Sequence, residues 1–124
     1  MNTSTRRDEL VAAIKAQADA VESTVVVTGD PRQAIAPCIL VHPVPARTYT
    51  EAVDGLVVTL SWQVIAMAPG GQFDAPAADL LDALQTIVED ALENETRILS
   101  ARVASFTVRS DQPAQLAIIT TTED

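Results

Sequence analysis

The sequence predicts an α+β fold, a mostly antiparallel β-sheet packed on one side by two α-helices, in a single domain over residues 1–124. Three observations carry that prediction. From Leu56 to Met67 one set of alternate positions reads Leu56, Val58, Leu60, Trp62, Val64 and Ala66, while the other places Thr59, Ser61 and Gln63 between Val57, Ile65 and Met67. Side chains alternate faces along a strand, so this is one long strand with a buried face and a half-wet face. After Ala68-Pro69-Gly70-Gly71-Gln72 the period changes. Ala77, Leu80, Leu81, Leu84, Ile87, Val88, Ala91 and Leu92 recur at spacings of three and four, one stripe of a helix that needs a sheet to lie on. Most of the other apolar runs are short, rich in β-branched residues and bounded by turn residues, which is how antiparallel strands read.

In chain order, Thr5-Arg6-Arg7-Asp8 has the form of a helix start, a hydroxyl followed three positions later by an acid. Leu10, Ile14, Ala18 and Val21 continue as one apolar stripe, so an amphipathic helix is expected from about Thr5 to Glu22. Thr24 to Thr28 reads as a short strand closed by the turn Gly29-Asp30-Pro31. Ala36 to Pro43 is an apolar run fenced by Pro37 and Pro43; proline has no N–H to give to a ladder, which limits this strand to about five residues. Val44 to Gly55 carries Pro45, Arg47, Thr48, Tyr49, Thr50, Glu51 and Asp54 and reads as a long polar loop, a kind of segment that often serves binding or assembly. Beyond the second helix, Ile98 to Arg109 reads as a strand with Ala104, Phe106 and Val108 on one side. Ser110 to Pro113 is a turn, and Gln115 to Thr122 is the last strand. The expected order is α, β, β, long loop, β, α, β, β.

The core must be built largely from Ala, Val, Leu and Ile, because 48% of residues are hydrophobic and only 3% aromatic. No run approaches the ~18 apolar residues of a transmembrane helix. The polar segment Met1 to Glu9 lacks the apolar run of a signal peptide, so residence in a cytoplasm is expected. The lone cysteine, Cys38, has no internal disulfide partner. Seventeen acidic residues against eight basic ones give a net charge of −9. That field repels phosphate backbones and speaks against a sequence-reading nucleic-acid binder. It suits either an ordinary soluble surface or one that must not stick to nucleic acid passing nearby.

Candidate chemistry is sparse. Cys38 and His42 share one short strand, where ~3.3 Å per residue separates them by about 13 Å, beyond the reach of a thiol–imidazole dyad. One histidine and one cysteine cannot supply the roughly four such ligands of a structural zinc. Asp79, Asp82, Glu89, Asp90 and Glu93 fall mainly on the helix face opposite the leucines, as a solvated face does. Gly70-Gly71 precedes a helix but lacks the lysine and spacing of a phosphate-binding loop. No catalytic residue, cofactor or metal is therefore expected, and the chain does not read as an enzyme. Arg47, Tyr49, Glu51, Arg97, Arg102 and Arg109 stand out instead as candidates for an assembly interface, arginine and tyrosine combining apolar area with directed hydrogen bonds.

This order of elements resembles that of the tail terminator proteins of long-tailed, siphovirus-type bacteriophages. The resemblance covers nearly the whole chain. It rests on the opening helix, on Ala36-Pro37-Cys38-Ile39-Leu40-Val41, on the Tyr49 to Gly55 loop leading into Leu56 to Met67, and on the helix through Leu80-Leu81-Asp82-Ala83-Leu84. It implies a structural protein that forms a homohexameric ring at the head-proximal end of the virion tail, assembled in the bacterial host cytoplasm. Such a ring ends elongation of the tail tube and offers a docking surface to the head connector. The implied partners are further copies of the chain, the tail tube protein and a head-completion or connector protein. DNA would pass through the bore without specific binding, which the acidity suits, and no membrane is involved. The family has no functional motif to carry over residue by residue. Three other readings stand beside it: another head–tail joining protein, a small cytoplasmic ligand-binding or regulatory α+β domain, and a minor enzyme with a carboxylate site.

Overall fold

A computed structural model of the chain describes residues 3–21, 24–69, 75–107, 110–111 and 114–124. Its α-helices are α1 (Thr3–Val21) and α2 (Ala75–Leu92), with a short 3-10 helix at Pro31–Gln33. Its strands are β1 (Val26–Thr28), β2 (Cys38–Val41), β3 (Ala46–Ala52), β4 (Gly55–Ala68), β5 (Arg97–Phe106) and β6 (Gln115–Glu123). They form one sheet in the order β1-β2-β4-β6-β5, with β3 paired to β4 off that path. Among the described residues only the β1–β2 pairing is parallel. The architecture is the α+β one expected from the sequence, with helices packed against a mostly antiparallel sheet.

The helices form where the period is helical. Arg6, Leu10, Ile14 and Ala18 are the buried positions of α1, and Ala77, Leu81, Leu84, Ile87, Val88 and Leu92 those of α2. Leu10, Ile14 and Ala18 of α1 and Leu84, Ile87, Val88 and Leu92 of α2 meet the sheet in one cluster with Ile39, Val41, Trp62, Val64 and Ala66, while Ala77 and Leu81 pack beside it against Ala68, Leu116 and Ile118. Each fully buried Leu or Ile there contributes roughly 1.5–3 kcal/mol of hydrophobic stabilisation. Thr5 lies inside α1, which begins at Thr3, so the capping role expected of Thr5 does not arise. The acidic side chains Asp79, Asp82, Glu89, Asp90 and Glu93 are exposed, as their spacing implied.

β4 differs from its expected form. Its C-terminal half is buried on both faces, because Ile65 and Met67 join Cys38, Leu40, Ala117 and Ile119 in a second cluster on the side away from the helices. Its first four residues, 55–58, are exposed on both faces. The half-wet face shrinks to the stretch around Ser61 and Gln63.

The main correction concerns residues 44–55, expected as a long loop. They form β3 and a two-residue turn, Val53-Asp54, that closes a hairpin with β4. Gly55 has φ +120°, a conformation that favours glycine at a tight hairpin end. β2 and β3 are two stretches of one hairpin arm. Val41 pairs with Val64 and Ala46 with Ser61, so residues 42–45 on this arm stand opposite only residues 62 and 63. Pro43 and Pro45 cannot donate to the ladder, and the chain bulges there instead of ending. His42 N–H still donates to Gln63 O at 2.9 Å, and Val44 N–H donates to His42 Nδ1 at 3.2 Å.

Candidate assembly interface

The bulge, the hairpin turn and the length of β4 together produce a two-stranded arm, residues 46–60, that runs past the end of the packed sheet. β6 accompanies β4 only from Ser61 onward, and its last link is Asp124 N–H donating to Leu60 O at 3.0 Å. Among the described residues, Leu56–Thr59 of β4 therefore have a strand on one side only, and β3 has none on its outer side. All seven residues of β3 are exposed.

Cross-strand partners share a face. Arg47 lies opposite Leu60, Tyr49 opposite Val58 and Glu51 opposite Leu56, all on the continuation of the Trp62/Val64 side of the sheet. The helices do not reach this far, and Tyr49, Leu56 and Val58 are 60%, 66% and 46% exposed. Where α1 begins, Arg47 Nη2 donates to Thr3 Oγ1 at 3.3 Å, marking the limit of helical cover. Val57 is exposed on the opposite face, and Val53 at the tip is fully exposed. A protruding ribbon with open edges and apolar side chains is marginal alone in water and is a ready template for another chain.

Of the six candidates, the structure brings three together: Arg47, Tyr49 and Glu51 form one row on the arm. Arg97 pairs with Glu123 and Arg102 with Ile119 on β5, at the far edge of the sheet and on its other face. Both are exposed, but they share no surface with the arm row. Arg109 lies outside the described residues, as does the expected turn Gly70-Gly71.

Sequence reasoning missed Arg6. It occupies the helical stripe four positions before Leu10, and its guanidinium donates to Asp124, to Glu9 Oε2 at 3.0 Å, to Glu95 Oε2 at 3.4 Å and to the Glu95 backbone carbonyl. Trp62 Nε1 donates to the same Asp124 carboxylate at 3.0 Å. The bonds to Asp124 above all hold Arg6 above its ordinary pKa, with burial opposing them. This cluster sits at the root of the arm, where Trp62 and Leu60 join it to the core.

A cleft of about 460 Å³ is lined by Arg7, Asp8, Thr28, Gly29, Asp30 and Arg32. Arg7 pairs there with Asp8 at 3.4 Å and Arg32 with Asp30 at 3.1 Å. The Arg32 guanidinium, and then its backbone N–H, hold the Asp30 carboxyl below its usual value. Cys38 is buried, and burial pushes its thiol up to about 11. Among the described residues no group of three His, Cys, Asp or Glu side chains converges as metal ligands would, and no helix is long and apolar enough to cross a membrane.

No family model and no curated protein matches the chain.

Proposed function

We propose that this protein acts by contact and without catalytic turnover, as the tail terminator of a long-tailed phage, with the β3–β4 arm as its subunit contact. The reading is carried by one observation: a long ribbon projects from a well-packed domain, with its edges unpaired among the described residues and Tyr49, Leu56 and Val58 in water. Contact with another subunit removes that apolar area from water and completes the open ladders. In a closed ring the contact is head-to-tail, each arm meeting a different surface of the next copy. The ring, hexameric by resemblance to the terminator family, sits at the head-proximal end of the tail, stops tube growth and presents a face to the head connector. Its partners are its own copies, the tail tube protein and a head-completion protein. The net charge of −9 keeps DNA sliding through the bore from adhering to the wall.

The test replaces the exposed apolar pair, Leu56→Asp together with Val58→Asp, and supplies the variant in place of the wild-type protein during tail assembly. The fold is expected to persist, because neither side chain belongs to a buried cluster. Tails of irregular length, or tails unable to join heads, are the expected outcome. Normal, infectious particles would exclude the arm from the contact.

A further inference from the structure

We propose that the free protein pairs with a second copy of itself through the outer edge of β3, in an antiparallel register centred on Tyr49. The inference stands on the strand itself and is independent of the tail reading. β3 is seven residues long, exposed throughout and, among the described residues, unpaired along its outer edge. An edge of this kind accepts an added strand.

The order of its charges selects a second copy as the occupant. When Ala46 of one copy is set against Ala52 of the other, a two-fold axis falls on Tyr49. Arg47 of each copy then faces Glu51 of the other, Thr48 faces Thr50, and the two tyrosines face one another. All seven residues pair, and each charge on the strand meets an opposite one on the same face, the arrangement that favours cross-strand pairing. A shift by one residue sets outward-pointing backbone groups against groups turned toward β4, so no ladder forms. A shift by two leaves five overlapping residues and sets Tyr49 opposite Arg47 or Glu51, so the paired charges are lost. The two-fold register also sets the exposed Val53 of one tip level with Pro45 of the other copy. Pro45 borders a cleft of about 280 Å³ that His42, Val44, Ser61 and Gln63 also line. Such a contact is isologous and closes at two copies. It covers the β3 edge until a different partner displaces the second copy.

Sedimentation of the purified 124-residue chain tests the pairing through a charge swap. The wild-type protein is expected to reach twice its 13.2 kDa mass as concentration rises. Arg47→Glu or Glu51→Arg alone sets like charges opposite each other at two symmetric places and should weaken the dimer about tenfold or more. The double variant Arg47→Glu/Glu51→Arg restores both pairs and should return the dissociation constant to within about threefold of wild type. Far-UV circular dichroism confirms that each variant is folded. A wild-type chain that stays monomeric, a species of another size, or a double variant no tighter than the single ones would overturn the proposal.

Discussion

Arg6 and Asp124, 118 residues apart, are joined by three hydrogen bonds of 2.9–3.2 Å between one guanidinium and one carboxylate. The same carboxylate accepts from the Trp62 indole, so one acid ties α1 and the end of β6 to the middle of β4. The Arg6 side chain is only 10% exposed and that of Asp124 23%, so water screens this contact less than it does an ordinary surface pair. Asp124→Ala leaves a nearly buried cation with fewer partners and strips the Trp62 N–H of its acceptor. A loss of about 1–3 kcal/mol in unfolding free energy is expected from chemical denaturation. An unchanged denaturation midpoint would show that the cluster contributes nothing to stability.

The contact between α2 and the sheet makes a second prediction. Leu84 is buried in the cluster that encloses Trp62, so Leu84→Ala should destabilise the protein by about 2–5 kcal/mol. Trp62 is wholly buried, and its native fluorescence should be blue-shifted and move to the red on unfolding. Native emission already at the position of a solvated indole would contradict the packing.

Cys38 supplies a pH dependence. Its thiol, raised by burial from an ordinary 9.0 to about 11, loses its proton in the unfolded chain before it does so in the folded one. The folded state therefore holds more protons between these values, and stability declines as pH rises from about 9 through 11. The decline attributable to this group is up to about 2–3 kcal/mol, and Cys38→Ala should flatten it. A thiol reagent should modify the native protein slowly at pH 8 and the unfolded chain quickly. Equal rates in the two states would show that Cys38 is accessible.

The elements legible in the sequence were those with long, unbroken periods. Eight apolar positions at helical spacing specified α2, and alternation over Leu56 to Met67 specified β4, because each pattern repeats often enough to exclude the other period. β3 was missed for an identifiable reason. Pro43 read as the end of a strand, whereas in the fold Pro43 and Pro45 lie in a bulge and pairing resumes at Ala46. Thr48-Tyr49-Thr50 and the Asp54-Gly55 dipeptide were strand and hairpin signals, but they lay among charges that made the stretch look like loop. Gathering Arg47, Tyr49 and Glu51 on one face depends on that missed strand, so their alternation went unread. Arg6 was hidden differently: its place on the α1 stripe was visible four residues before Leu10, but Asp124 becomes its partner only through the order of strands in the sheet.

The arm should also differ from the core in its dynamics. Its ladder is exposed on both faces over residues 55–58, while Val64–Met67 are buried on both, so local opening is far easier in the arm. In the isolated protein at low concentration, amides of residues 47–58 should exchange with solvent at least roughly 100-fold faster than those of 64–67. Uniform protection along β4 would mean that the arm is as firmly held as the core.

Tail length, measured by electron microscopy of particles assembled with the gene deleted and with the protein restored, tests the proposed function most directly. Without the protein, tubes should overgrow or vary in length and fail to join heads, and supplying the wild-type chain should restore a single length. Tails of normal length on infectious particles, formed in its complete absence, would contradict the role of tail terminator.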